Sequence, residues 1–341
     1  MAGHLAEQRS LAAAGRSDLA RCRRSRLAGD GDDLAARGGL RGVGVVIAHR
    51  RQRGVALLLV LWLIALLAAL VGAFALTAKI EGLQGRVLHR GVIADEAARA
   101  GLEYALVRVT EIDPRRQWRP DGREYDWKYG DADVHVSLTD ENGKIDLNQA
   151  DMALLASLFE QQGPMSNPDA RKLAAAVMDW RDPDSLTQPE GGAEDSDYAS
   201  AERPYGAKDA PFESVAELEQ VLGMTPALYA KVAPDLTVFS GRTRPDPAFA
   251  SATVLQAMGI DPTPTIARRR AWDPSSGQPA PVLEGGEPLV GSGSGTYSID
   301  SRARLRDGRE AMLRVVVRAG GNGLPGSAYT PLRWEEGASP R

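Results

Sequence analysis

The stretch RRQRGVALLLVLWLIALLAALVGAFALTAKIEG, Arg50 to Gly82, decides how the rest of the 341-residue chain is read. From Val55 to Ala78 it carries no charge, and the first charged residue after Gly54 is Lys79. This run exceeds the ~20 apolar residues a helix needs to cross a bilayer core and is too long for a secretory h-region of ~7–15. Arg50, Arg51 and Arg53 flank one end, which holds the N-terminus in the cytoplasm and sends the C-terminal mass outward. Gly54 sits where the basic cluster meets the apolar run, whereas the small residues of a signal peptidase site follow such a run. A cut after Gly54 would remove the basic leader and leave the helix in the membrane.

The charge balance divides at the same place. Residues 1–54 hold eleven Lys+Arg and five Asp+Glu, net +6, so the remainder is net −10 and has no general attraction for nucleic acid. Cys22 is the only cysteine and precedes the apolar run, so no disulfide or thiolate metal site can form beyond it. His4, His49, His89 and His135 are scattered, which argues against a histidine zinc site or catalytic triad.

Helical periodicity continues past the apolar run. In KIEGLQGRVLHRGVIADEAARAGLEYALVRVTEI, apolar or small residues recur at Leu83, Val87, Ile93, Ala97, Gly101, Ala105 and Val109. The spacing predicts one long helix, half in lipid and half amphipathic, packed on a globular head. After turn formers and aromatics in DPRRQWRPDGREYDWKYG, the alternation of Val134, Val136 and Leu138 predicts a strand, and Asn142-Gly143 a turn between short strands.

Helical segments follow. DLNQADMALLASLFEQQG predicts a helix from near Asn148 to Gly163-Pro164, and NPDARKLAAAVMDWRDPD a second stopped at Asp182-Pro183. Ser214 and Glu217 form a capping-box pattern, Thr225-Pro226 opens another short helix, and Leu236 to Phe239 returns as a strand. ASATVLQAMGI, Ala250 to Ile260, partly repeats QADMALLASLF, Gln149 to Phe159. The Pro/Gly/Ser-rich span from Ile260 to Gly295, with its Arg268–Arg270 patch, reads as a mobile surface loop. TYSIDSRARLRDGREAMLRVVVRAG reads as a terminal antiparallel hairpin, from the alternation of Tyr297, Ile299, Ala303, Leu313, Val315 and Val317.

RQRG followed by VALLLVLW, and then ADEAARAGLEYAL in a long helix, resembles the type IV pilin-like proteins processed by prepilin peptidase. KIDLN, MDWRDPD, GGAEDSDY, RPYGAKDAPF and VLGMTPALY narrow the resemblance to the K-type minor pseudopilins of the type II secretion system, the GspK family, over Val55 to Gly241. The fold this implies is α+β. A long N-terminal helix, with a transmembrane half (55–78) and an amphipathic half, packs on an antiparallel sheet, and a large all-α insertion resembles SAM-like or helix-hairpin-helix units. The implied segments are a leader (1–54), helix and first strands (79–141), the insertion with an acidic loop (142–236), and the rest of the pilin-like domain (237–341).

The resemblance also implies cleavage between Gly54 and Val55 and N-methylation of Val55; a glycine there lets a peptidase approach the backbone closely. Where most of the wider group carries Glu at the fifth mature position, this chain has Leu59, and K-type members commonly lack that Glu, which favours a tip position in the filament. Expected partners are the I- and J-type minor pseudopilins, the major pseudopilin filament and prepilin peptidase. Small residues Ala94, Ala97 and Gly101 either admit a partner helix or pack on the chain's own sheet. No Met lies between Met1 and Met152, and residues 1–42 are expected to precede the true start, with translation opening at Val43, Val45 or Val46.

Residues 179–209 contain Asp179, Asp182, Asp184, Glu190, Glu194, Asp195, Asp197, Glu202 and Asp209 against Arg181, Arg203 and Lys208, an excess of six negative charges. Either the loop is solvated or it holds a hard cation through oxygen ligands. The spacing of Glu194, Asp195 and Asp197 after Gly191-Gly192, with Asp182, Asp184 and Asp209 on the flanks, together with calcium sites in the family's equivalent loop, favours one or two calcium ions. Asp209 stands where the family usually has Asn. A rival reading, a membrane-anchored nucleic-acid binder built on helix-hairpin-helix units, is opposed by Glu213, Glu217, Glu219 and Asp235 around Lys231. An enzyme is not expected: Asp182 and Asp184 could serve a hydrolase, but no nucleophile motif or phosphate loop accompanies them.

Overall fold

A computed structural model describes residues 55–320 and 328–337. Gly54, the basic cluster and the expected start sites lie outside the described residues, and Val55 opens the first helix. Helix α1 spans Val55–Val109, as expected from the uninterrupted apolar run and the periodic segment after it. It is long and apolar enough to cross a membrane. The chain divides into two units, one ending at Ala68 and the other beginning at Ala69. In the first, every described residue is exposed, Leu59 included.

In the second unit α1 buries one face from Ala94 onward: Ala94, Ala97, Ala98, Gly101, Leu102, Ala105, Leu106 and Val109. These residues form one core with Val134, Val136, Leu138, Ile299, Ala303, Val315 and Val317. Gly101 sets the approach distance, since a Cβ there would overlap Ser301 Oγ and crowd Val134 and Val136. Of the two readings of Ala94, Ala97 and Gly101, the structure shows the second and not a face left open to a partner helix: small side chains here let the chain's own sheet come close.

The sheet has five strands, β1 (Asp121–Tyr129), β2 (Ala132–Asp140), β5 (Thr296–Leu305), β6 (Glu310–Ala319) and β7 (Tyr329–Glu336), ordered β1-β2-β5-β6-β7. All neighbours are antiparallel. The terminal hairpin is real but continues into β7, and β1 emerges from a segment read only as turns and aromatics. Asn142-Gly143 does not turn one strand onto the next. It lies in a 3-10 turn, Glu141–Gly143, capped by Asp140, from which the chain leaves the sheet.

The chain departs through β3 (Ile145–Asp146), which pairs in parallel with β4 (Leu236–Thr237). Between them stand α2 (Met152–Gln162), α3 (Asn167–Arg181), α4 (Asp195–Ser200) and α5 (Pro226–Val232), and α6 (Ala252–Ala257) and α7 (Pro262–Ala271) follow. Helix α2 starts at Met152 rather than near Asn148, because Asp151 is the residue whose side chain caps it, accepting from Leu154 N. Ser166 caps α3 and Thr225 caps α5, each with proline in the first turn. Ser214 and Glu217 form their box, on a 3-10 helix. The helical core runs from Ile145 to Ala257 around Leu155, Phe159, Val177, Trp180, Tyr198 and Leu255, so α6 is packed with the earlier helices.

The span after Ile260 is more ordered than a surface loop. Arg269 on α7 is buried, donates to the carbonyls of Pro247, Ala248 and Ala250, and lies 3.5 Å from Asp121, which Arg123 also grips. Arg119 donates to the carbonyls of Arg269 and Trp272. Arginine heads satisfying carbonyls replace the apolar packing that this composition lacks.

Candidate metal centre

Three carboxylates converge where α3 ends and α4 begins. Asp179 stands in the last turn of α3, and Asp182, three residues on, is its C-cap with extended backbone. Glu194 is the N-cap of α4. One oxygen from each of Asp179, Asp182 and Glu194 lies within 4.8 Å of the others. Asp179 is fully buried and Glu194 is 5% exposed.

The surrounding chain only partly satisfies this negative charge. Asp179 accepts from Gln188 N at 3.1 Å, and Asp182 Oδ2 from Gln188 Nε2 at 3.2 Å. Gly192 is required beside them, because any Cβ there would run into the Asp179 carboxylate. Asp182 Oδ1 and Glu194 Oε1 are buried without a hydrogen-bond partner. The nearby cations are committed elsewhere: Arg181 donates to Leu147 O and Ala150 O, and Lys208 pairs with Glu217 at 2.8 Å.

Burial, reinforced by Asp179, Asp209, Asp182 and Asp184, pushes the Glu194 carboxyl up to about 7. Asp179 and Asp182 are raised as well, chiefly by burial. Carboxyl groups driven together and away from water favour the protonated form unless a cation replaces the proton.

Of the six acids expected from sequence, Asp182 and Glu194 belong to this trio. Asp184 and Asp209 add their charge to Glu194 without joining it; Asp184 accepts from Leu186 N at 2.9 Å, and Asp209 holds a left-handed φ of 53°. Asp195 and Asp197 are placed elsewhere. GGAEDSDY is not an open ligand loop but the start of α4, where Asp197 at the third helical position folds back to accept from Glu194 N at 3.0 Å, and Asp195 lies against Gly206. Asp179 was missed as a ligand candidate. Its signal was the three-residue spacing to Asp182 at the end of a helix.

An aromatic wall backs the site. Trp180 lies between 5.9 and 6.4 Å from Tyr198, Tyr205 and Phe212. Burial pushes the Tyr198 hydroxyl up to about 12, and that oxygen accepts from Leu222 N, tying α4 to the next segment.

Comparison with known proteins finds likenesses over part of the chain. Residues 136–241 match the family model described as Type II secretion system (T2SS), protein K. The chain is 28% identical over 220 residues to Type II secretion system protein K of Klebsiella pneumoniae, covering 57% of this chain and 65% of that one. It is 27% identical over 216 residues to the protein of the same name from Pectobacterium carotovorum subsp. carotovorum, covering 54% and 62%. The chain thus spans just under two thirds of the length of these relatives. Its fold matches a chain in the crystal structure of the GspK-GspI-GspJ complex from the enterotoxigenic Escherichia coli Type 2 Secretion System, with a TM-score of 0.52 at 18% identity, covering 77% of this chain and 99% of that one.

Proposed function

We propose that this chain is a K-type minor pseudopilin of the type II secretion system, capping the tip of the periplasmic pseudopilus and helping to initiate its assembly for export of folded proteins across the outer membrane. One observation carries the reading: a helix-on-sheet head is interrupted between β2 and β5 by a helical domain, and most of that domain is the segment matching the protein K family model. A subunit with so bulky a domain fits the end of a filament better than its repeating shaft. Leu59, apolar where a repeating subunit would use a carboxylate, agrees with that position.

In this reading α1 is a single-pass anchor in the bacterial inner membrane, with the N-terminus cytoplasmic and the head periplasmic. The partners are the I- and J-type minor pseudopilins, the major pseudopilin and prepilin peptidase, which cuts after Gly54 and leaves an N-methylated Val55. The role is structural, with no catalytic residues. The Asp179–Asp182–Glu194 trio fits calcium: all donors are hard oxygens, and two of them are buried with no protein partner. A bound ion would neutralise the cluster and fasten α3 to α4, and Asp184 and Asp209, whose charges act on Glu194, are the acids left for a second ion.

N-terminal sequencing of the membrane protein from cells with and without prepilin peptidase tests the reading. A mature N-terminus at Val55 only in the first, with co-purification of I- and J-type subunits, is expected; an uncut chain in both removes it. The nucleic-acid reading has lost its best cation, since Lys231 donates to Gln162 O on a neighbouring helix.

A further inference from the structure

The two edges of the sheet are built differently. Leu305 N donates to Arg309 O and Ala319 N to Gly295 O, so odd-numbered residues of β5 bond to β6 and even-numbered ones to β2. Carried through the register to β1, this turns the main-chain groups of Tyr125, Trp127 and Tyr129 toward β2 and those of Glu124, Asp126 and Lys128 out of the sheet. Among the described residues no strand pairs with that outer side. From Glu124 to Tyr129 the strand is regular and contains no proline. The opposite edge is blunted: β7 contains Pro331, and its register slips between Val316 and Val317. Sheet proteins protect free edges in this way; β1 has its slip only before Glu124, and from there to Tyr129 its edge is guarded by charged side chains alone.

The two faces beside the β1 edge differ in chemistry. On the α1 side, Tyr104 stacks on Trp127 at 4.4 Å and Trp118 on Tyr125 at 4.2 Å, while Tyr129 is half exposed. Two donors around this aromatic row, Trp127 Nε1 and Arg108 Nε, are buried without a hydrogen-bond partner. The other face carries Glu124, Asp126 and Lys128, with Asp133 and His135 behind them on β2. Lys128 is paired with Asp133 and Asp126 with His135, so the strip is net acidic and Glu124 stands opposite uncharged Ser137.

We propose that the β1 edge is a docking site for an extended segment of a partner protein, added as a sixth strand. That segment alternates basic residues, facing Glu124 and Asp126, with apolar residues, facing Tyr125, Trp127 and Tyr129. Main-chain pairing supplies affinity and the two faces supply selectivity. A second copy of this chain fits less well, because antiparallel pairing about Asp126 would set two Asp126 carboxylates directly opposite each other, and the Lys128 side chains this register brings to Glu124 are already paired with Asp133.

The test uses the full chain in detergent micelles and three nine-residue peptides: alternating lysine and valine, alternating glutamate and valine, and the lysine–valine peptide N-methylated at every second residue. Amide hydrogen exchange is followed along β1 and β7. Exchange at Glu124, Asp126 and Lys128 should slow at least about tenfold with the lysine–valine peptide and not with the other two. No slowing at saturation, equal slowing by the methylated peptide, or slowing at β7 instead overturns the proposal. Slowing that rises with protein concentration in the absence of peptide makes the occupant a second copy. Asp126→Pro should leave the melting temperature within a few degrees and abolish capture, since within the chain it removes only an outward N–H and an exposed contact with His135. Should that variant not fold, the pair Glu124→Lys and Asp126→Lys must shift preference to the glutamate–valine peptide; an unchanged preference also overturns the proposal.

Discussion

Glu194→Gln should stabilise the chain in the absence of calcium and lose most or all of that advantage in its presence. The substitution keeps the size of the side chain and removes its charge. In the folded chain the Glu194 carboxyl is raised to about 7 from an ordinary 4.5, so the native state binds its proton more tightly than the unfolded state does. The resulting destabilisation is absent below about pH 4.5, grows as pH rises toward 7, and is complete above it. A rise of that size corresponds to about 3 kcal/mol, which water reaching the loop reduces to about 1–3 kcal/mol. At pH 8 with chelator, Glu194→Gln should therefore melt roughly 3–8 °C higher than the native sequence, and at pH 4.5 the two should coincide. With calcium at a hundred times its dissociation constant the native sequence gains about 2.7 kcal/mol, and the variant, lacking one ligand charge, gains clearly less. Thermal melts of the full chain in detergent, at both pH values with and without calcium, decide the matter. A variant that melts below the native chain in chelator at pH 8, or that keeps the whole calcium increment, refutes the reasoning.

Gly192→Ala should lower the melting temperature and weaken the calcium response together, because the new Cβ displaces the Asp179 carboxylate; melts in chelator and in calcium show both effects. Gly101→Ala should cost about 1–3 kcal/mol by overpacking, less about 1 kcal/mol regained in helix propensity. Ser301→Ala, which deletes a buried unpartnered hydroxyl, should be neutral or stabilising alone and should rescue part of the Gly101→Ala loss, as a urea-denaturation double-mutant cycle will register. Lys144→Ala should cost about 3–5 kcal/mol in the same assay, since it strands the buried Glu141 that also accepts from Ser298 and Thr237.

How legible each part was depends on the range of the interactions that make it. Helix α1 could be read from end to end because its signal, an unbroken apolar run followed by a small-residue stripe, is local. The caps at Ser166, Thr225 and Ser214 were legible for the same reason. Strand β1 was not, because its aromatic alternation is threaded through Glu124, Asp126 and Lys128 and resembles a polar turn until β2 lies beside it. Asn142-Gly143 carries the dipeptide of a hairpin, but its backbone was taken for the 3-10 turn that leaves the sheet. At the acidic site, density of charge pointed to the loop where Asp182 and Glu194 meet Asp179, while spacing gave no sign that Asp195 and Asp197 would stand in the first turn of α4. Arg269 lay in a segment read as surface because its partners, three carbonyls and Asp121, lie far away in the chain.

At the end of β2, Asp140 lies opposite Tyr297 at the start of β5. Everything between them, the helical domain and the arginine-tied span included, is therefore one very long hairpin loop on an otherwise plain antiparallel meander. Tension applied along the sheet would pass from β2 to β5 across their shared ladder and bypass that loop. The domain rides outside the load path, so it can grow, bind an ion or change shape without stretching the strands that hold it. Because closing a longer loop costs only the logarithm of its length, the meander also tolerates so large a passenger at small expense to its own stability.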